Sequence, residues 1–314
     1  MSEPAISVVM SVYNGQRYLR ESIESVLAQT HGDFEFLIVN DGSTDGSRDI
    51  LAGYEREDSR VRVLDQENRG LTLALIRGCQ KARGQYIARQ DADDVSLPSR
   101  LGAQAAYLAR HADVTLLSCW TRFIGPEGEE LSLIERRETP AEATEKMRCM
   151  DLSRIQGVSG HGSTMFRRSD YQRAGGYRRQ CWAAQDLDLW LRLTDFGLVA
   201  FLPQILYLAR FTDDCISMRS HAVQLSLAGV ILGAAKARQA GRSDEEWLRA
   251  AEAVRRPCHR KSRRDRAKGS YFIGKCLMDQ GDRRGMKYLR QAIRQNPFHL
   301  PAWAALLRKG LPAF

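Results

Sequence analysis

The chain has 314 residues, 43% of them hydrophobic and 27% charged, with a net charge of +9, which is ordinary for a globular protein of one large domain or two. No apolar run approaches the roughly 20 residues needed to span a bilayer, and Met1-Ser2-Glu3-Pro4 lacks the basic start and apolar core of a secretory signal. Seven scattered cysteines include no Cys-x-x-Cys pair, which argues against a zinc site and for reduced thiols in a cytoplasmic protein.

In chain order, Ile6–Met10 reads as a buried strand, followed by a helix with Leu19, Ile23, Val26 and Leu27 on one face. Phe34–Val39 is a second strand and Val61–Leu64 a third, the latter leading to a helix from about Leu71 to Ala82. Tyr86-Ile87-Ala88 is the fourth, and a helix opened by Pro98 runs to about Arg110 ahead of a strand over Val114–Cys119. Strands alternating with helices imply a mostly parallel α/β sheet covered on both faces, with ligands beyond the carboxyl ends of the strands. Those ends carry Tyr13-Asn14-Gly15, Asp41-Gly42-Ser43, Asn68-Arg69-Gly70 and Asp91-Ala92-Asp93, so four polar segments are expected on one edge.

After Glu127-Gly128-Glu129 the alternation is lost. Residues 141–165 read as a helix and a glycine-rich loop, and residues 183–196 as a further helix holding Asp186, Asp188 and Trp190. Beyond His221 the pattern is helical with a break at Pro257, and Ala267–Leu307 reads as a pair of helices spaced like one tetratricopeptide unit, which must dock on something to bury its face. A boundary near residue 220 also divides the charge. Residues 1–220 carry 27 basic and 31 acidic side chains, and residues 221–314 carry 20 and 7. Clusters such as Arg260-Lys261-Ser262-Arg263-Arg264 suit either a solvated helix face or an anionic partner, of which a membrane surface fits better than nucleic acid because no reading module accompanies them.

The most informative stretch is Asp91-Ala92-Asp93-Asp94, three carboxylates crowded at the end of a buried strand. Two readings stand: a hard divalent ion, Mg²⁺ or Mn²⁺, shared with substrate phosphates, or a solvated turn with Asp94 or Ser96 capping the next helix.

Ser7 to Gly15, Glu35 to Asp45, Asn68-Arg69-Gly70-Leu71 and Asp91-Ala92-Asp93-Asp94 stand in an order that resembles the family 2 glycosyltransferases, over residues 4 to about 217. The resemblance implies a GT-A fold: a Rossmann-like, mixed, mostly parallel sheet that binds a nucleotide-sugar, here with a C-terminal all-helical extension. It implies a catalytic domain over 1–220 and a basic helical domain over 221–314. It also implies inverting transfer of a sugar from a UDP- or dTDP-linked donor to an acceptor hydroxyl, in the synthesis of a cell-surface polysaccharide or lipid-linked glycan. Donor contacts carry over to Val12, Tyr13, Asn14 and Asp41, the last as base reader, and to Asn68 and Gly70. Asp91, Ala92 and Asp93 complete them, with Asp93 the metal contact and Asp91 beside it as a ribose contact or support for the ion.

Gln185-Asp186-Leu187-Asp188-Leu189-Trp190 resembles the family's acidic motif, with Asp186 at the place of the general base and Gln185 where Glu is usual. A single base suffices for inversion by direct displacement. Gly160-His161-Gly162 precedes Met165-Phe166-Arg167-Arg168 as in the family, and His161, Arg210 and Trp190 are candidates for acceptor or diphosphate contacts, with core packing the competing reading of Trp190. The departure is Thr212, standing where a histidine near the diphosphate is usual. The expected setting is cytoplasmic, peripheral at the inner face of the plasma membrane, and the oligomeric state stays open. The competing class is a catalytically decayed domain that binds a nucleotide or glycan, with its helical tail as the working surface. A nucleotidyltransferase would need a more glycine-rich first loop than Tyr13-Asn14-Gly15-Gln16-Arg17.

Overall fold

The computed structural model describes residues 3–155, 157–158, 160–213, 221–255 and 263–307. Pro257, Cys215, Cys258 and the basic run 260–262 lie outside them.

Among the described residues nine strands form one sheet in the order β3-β2-β1-β4-β8-β6-β9-β5, with β7 (Glu130–Ile134) paired to β6. Strands β1 (Ile6–Val12), β2 (Phe34–Asp41), β3 (Val61–Gln66) and β4 (Tyr86–Asp91) are mutually parallel. All eight residues of β2 are buried, as a strand covered on both faces requires. Helices α1 (Leu19–Leu27), α2 (Ser47–Glu57) and α3 (Leu71–Lys81) make the crossovers. Leu19, Ile23 and Val26 form the buried face of α1.

From here the sheet becomes mixed. The helix expected from Pro98 begins at Arg100, as α4 (Arg100–Arg110), because Val95–Ser96 is drawn into a short strand, β5, antiparallel to β9. The strand expected to stop at Cys119 continues to Ile124 as β6 (Val114–Ile124). Strand β8 (Met165–Arg167) lies antiparallel between β4 and β6, and β9 (Leu198–Arg210) had no counterpart in the sequence reading. Helix α5 (Pro140–Met147), entered through a capping box of Thr139 and Glu142, precedes β8, and α6 (Arg168–Arg173) and α7 (Gln185–Leu193) lie between β8 and β9.

The residues divide into two compact units. The first comprises residues 1–121, 134–209 and 225–254, so it includes most of α8 (His221–Gln239) and all of α9 (Glu245–Ala253). Ile231, Leu232 and Ala235 of α8 join the core that also holds Val9, Ile87, Phe166, Leu189 and Trp190. The second comprises residues 122–133, 210–224 and 255–314. Its helices are α10 (Arg263–Asp279), α11 (Gly285–Gln295) and α12 (Leu300–Leu307). A Cβ on Gly285 would lie 2.6 Å from the Gly274 carbonyl oxygen, so glycine is what lets α10 and α11 approach so closely. The face of this pair is covered within its own unit: Leu131 packs with Ile273, Leu277 and Tyr288, and Tyr288 Oη donates to Glu129 Oε1 at 2.6 Å. Among the described residues no helix is long and apolar enough to cross a membrane.

Candidate functional site

Because β1 to β4 are adjacent and parallel, their carboxyl ends share one edge, and the first three loops bond to one another there. Asn14, left-handed at φ 53°, accepts from Thr44 N at 2.8 Å through its side-chain oxygen and donates its own N–H to Ser43 Oγ at 3.1 Å. Gly42 lies so close to the third loop that a Cβ there would sit 2.6 Å from Asn68 N. Asp41 is 2% exposed; its Oδ1 accepts from Arg69 N and Gln66 Nε2, and its Oδ2 from Gly70 N, at 2.7–2.8 Å. A carboxylate offers about four acceptor positions, so one remains for a ligand. Val12 and Ala92 flank Gly15, whose Cβ would lie 3.3 Å from Val12 Cγ1 and 3.7 Å from Ala92 Cβ. Tyr13 is 54% exposed above this edge.

The acidic turn rests on two fully buried arginines that the sequence reading gave no role. Arg89 donates from Nη2 to Asp91 Oδ1 at 2.6 Å, from Nη1 to the Val9 and Gln90 carbonyls, and from Nε to His161 Nε2 at 3.4 Å. Arg100 bonds Gln90 Oε1, Ser96 Oγ, Gln104 Oε1 and the carbonyls of Arg89 and Thr164, and its guanidinium lies 4.8 Å from the Tyr207 ring centroid. Ser96, one of the two candidate helix caps, donates instead to Gln90 Oε1 at 2.6 Å, and the residue at the N-cap of α4 is Ser99. Asp91 and Asp93 are part-buried and Asp94 is buried. The only visible sequence signal for Arg89 was a charge inside an otherwise buried strand.

His161 opens a single 3₁₀ turn, His161–Ser163, and its Nε2 lies 2.6 Å from Tyr177 Oη. Gly162 is wedged at the centre: a Cβ there would meet Tyr207 Oη at 1.9 Å and Asp91 Oδ2 at 2.9 Å. Tyr207 Oη in turn accepts from Asp91 N at 3.2 Å. The His161 ring stands edge-on to Trp190, with centroids 6.2 Å apart. Trp190 is core-packed and its indole N–H is buried without a hydrogen-bond partner.

Helix α7 starts after Ala184, left-handed at φ 57°, a conformation that costs a residue with a Cβ about 1–2 kcal/mol. Its two aspartates have separate environments. Burial raises the Asp186 carboxyl above the ordinary range; the Leu187 N–H opposes this, the Asp91 charge adds to it and the Arg89 charge reduces it. Asp188, 1% exposed, is paired with Arg192 at 2.5 Å and lies 3.8 Å from Arg178, which also holds Asp244 at the N-cap of α9.

The first unit thus gathers the four strand-end loops, Asp91, His161, Trp190 and Asp186. Arg210 and Thr212 belong to the second unit, where buried Arg210 donates to the Gly125 carbonyl at 3.2 Å. Ser159 of the glycine-rich loop and residues 214–217 lie outside the described residues. Among the described residues no group of three or more His, Cys, Asp or Glu side chains is arranged for a metal ion. An Mg²⁺ or Mn²⁺ ion needs only one or two carboxylates when substrate phosphates supply the rest, and Asp91 and Asp93, both part-buried, are residues of the required chemistry.

A family model described as glycosyl transferase family 2 matches residues 7–173. EpsE of Bacillus subtilis, named as a glycosyltransferase, is 32% identical over 240 residues, covering 75% of this chain and 83% of that protein. TuaG of the same organism, named for teichuronic acid biosynthesis, is 31% identical over 205 residues, covering 63% and 75%. Among solved structures, S. aureus TarS in complex with UDP-GlcNAc has a TM-score of 0.55 at 14% identity, covering 98% of this chain and 92% of that one. Mannosyltransferase PcManGT from Pyrobaculum calidifontis, in complex with GDP-Man and Mn²⁺, has a TM-score of 0.56 at 16% identity, covering 100% and 86%. At such identities the structural likeness speaks for the fold alone, which is of the GT-A type. With the family match spanning more than half of its length, the chain belongs to glycosyl transferase family 2.

Proposed function

We propose that the protein is an inverting glycosyltransferase that moves a sugar from a UDP- or dTDP-linked donor to an acceptor hydroxyl, with Asp186 as general base. The observation that carries this reading is the gathering, in one unit, of four adjacent strand-end loops with part-buried Asp91 and Asp186, both electrically coupled to buried Arg89. Asp41 keeps one acceptor position for the N–H of a pyrimidine base, and Val12, Tyr13, Asn14, Asn68, Gly70 and Ala92 line the same edge. Asp186, its carboxyl raised by burial, takes the acceptor proton as the new bond to the anomeric carbon forms and the bond to the diphosphate breaks. A divalent ion on Asp93 and Asp91 would supply charge to offset that developing on the diphosphate. His161 and Trp190, in the same unit as Asp186, would serve acceptor or diphosphate contacts.

The names of TuaG and TarS's ligand support a UDP-linked donor and a cell-surface polysaccharide or lipid-linked glycan as acceptor. The basic second half, 20 basic against 7 acidic side chains over 221–314, suits docking at an anionic membrane surface, at about 1 kcal/mol per basic residue close to it. This supports a cytoplasmic, peripheral location and a helical part beyond residue 220 that serves docking.

The test is calorimetric titration of UDP, dTDP and GDP, with and without Mn²⁺, on wild type and Asp93→Ala, together with nucleotide release from the matching sugar donors. Mn²⁺-dependent UDP or dTDP binding that Asp93→Ala removes is expected. An unchanged titration would exclude Asp93 as metal contact. Binding without any nucleotide release would point instead to a decayed domain.

A further inference from the structure

His161 Nε2 has two neighbours, and one of them bears on which ring nitrogen carries the imidazole proton. A guanidinium carries only donors, so the bond from Arg89 Nε at 3.4 Å requires a lone pair on Nε2. With no hydrogen on Nε2, the short contact at 2.6 Å must be the Tyr177 hydroxyl donating to the same nitrogen. The one proton of a neutral ring then sits on Nδ1.

We propose that Arg89 and Tyr177 are positioning residues that hold His161 as the neutral Nδ1–H tautomer, so that it serves the site as a hydrogen-bond donor and not as a cation or a base. Both residues are themselves fixed. Arg89 is fully buried and tied to Asp91 and to two backbone carbonyls, and Tyr177 is 5% exposed with its N–H on Tyr171 Oη at 3.1 Å. A doubly protonated ring would aim an N–H at the guanidinium and set two cations against each other inside the fold. Burial and the Arg89 charge accordingly push His161 well below the ordinary histidine range. The arrangement leaves Asp186 as the base of the cluster, and it links the Asp91 turn to His161 through one side chain. That the donor meets acceptor or diphosphate rests on the reading given under Proposed function; the tautomer does not.

Long-range ¹H–¹⁵N correlation spectra of the ¹⁵N-histidine-labelled full chain test this. The chain has six histidines, and the His161→Gln spectrum identifies the signals of His161 by their loss. The expected pattern at neutral pH is a protonated, pyrrole-type Nδ1 and a bare, pyridine-type Nε2. A proton on Nε2, alone or together with one on Nδ1, overturns the proposal. Tyr177→Phe, which removes a hydroxyl and keeps the ring, should leave Nε2 bare against Arg89 while moving its ¹⁵N signal toward that of a pyridine-type nitrogen with one hydrogen bond fewer; an unmoved signal overturns the role of Tyr177. The readout does not depend on turnover. An Nδ1–H pattern in a protein that binds no nucleotide would uphold the tautomer while removing the proposed function.

Discussion

The two aspartates of α7 should respond in opposite directions to the same isosteric change. Asp188 and Arg192 are 1% and 3% exposed and bonded at 2.5 and 3.2 Å. Asp188→Asn leaves the Arg192 guanidinium buried against a neutral amide. Breaking a buried pair costs about 3–5 kcal/mol, and the low end applies because asparagine still offers one acceptor oxygen. At about 2–4 °C per kcal/mol for a unit of roughly 200 residues, the midpoint should fall by roughly 6–12 °C. Asp186 has no such partner, and burial raises its carboxyl in the fold. An acid whose folded value lies above its unfolded one favours the fold in the protonated form, so its charge opposes folding as pH rises through that window and beyond. Asp186→Asn removes that charge and should raise the midpoint at pH 7, with the gain vanishing in acid below the unfolded aspartate range, while abolishing transfer. Thermal unfolding of both variants by circular dichroism at pH 7 decides the matter. A smaller loss for Asp188→Asn than for Asp186→Asn would refute the division of roles.

Three further outcomes are expected. The pH profile of turnover should lose activity on its acid side above the ordinary aspartate range of about 3.9, because burial and Asp91 raise Asp186; a limb at or below that value would remove Asp186 as the titrating base. Gly162→Ala should lower stability by about 1–3 kcal/mol through overpacking, since the new Cβ falls 1.9 Å from Tyr207 Oη, and chemical denaturation measures it. Mn²⁺ added alone should bind far more weakly than Mn²⁺ added with UDP, as titration followed by electron paramagnetic resonance would register; equal affinities would contradict it.

The edge of strand-end loops was legible because each of its motifs is local: a strand, then a short polar loop, repeated four times with the periodicity of a parallel sheet. Asp41 could be singled out from its position, although not its bonds to Arg69 and Gly70, which close over 28 and 29 residues. The later strands were harder. Strand β8 is three residues long and β9 is interrupted by Pro203 and Gln204 on its exposed stretch, so neither carries a period that reads on its own. The supporting residues were hidden for a different reason. Arg89, Arg100, Tyr177 and Tyr207 lie up to 118 positions apart in the chain, and nothing in their immediate neighbours says that they meet. The helix pair was visible in its small residues, while its cover, Glu129 of the hairpin loop and Leu131 of β7, lies some 150 residues earlier.

The buried arginines also change the premise from which a metal site was first read. Crowded carboxylates are costly at a strand end without a cation, but the fold already provides one to Asp91 through Arg89 at 2.6 Å, and sets a second, Arg100, beneath the same turn with only neutral hydrogen-bond partners among those described. Burial pulls Arg100 down from its ordinary range, and the neighbouring Arg89 charge adds to that, while the Asp91 charge opposes it. Two guanidiniums within this layer therefore offset much of the acidic turn before any ion arrives. On the proposed reading an ion would gain less from Asp91 and Asp93 alone than the sequence suggests, and the diphosphate oxygens would supply the rest of the attraction. That is why metal affinity should follow the nucleotide, and why Asp93, which lies farther along the turn than the Arg89-bound Asp91, is the carboxylate whose loss should be felt most in that coupled binding.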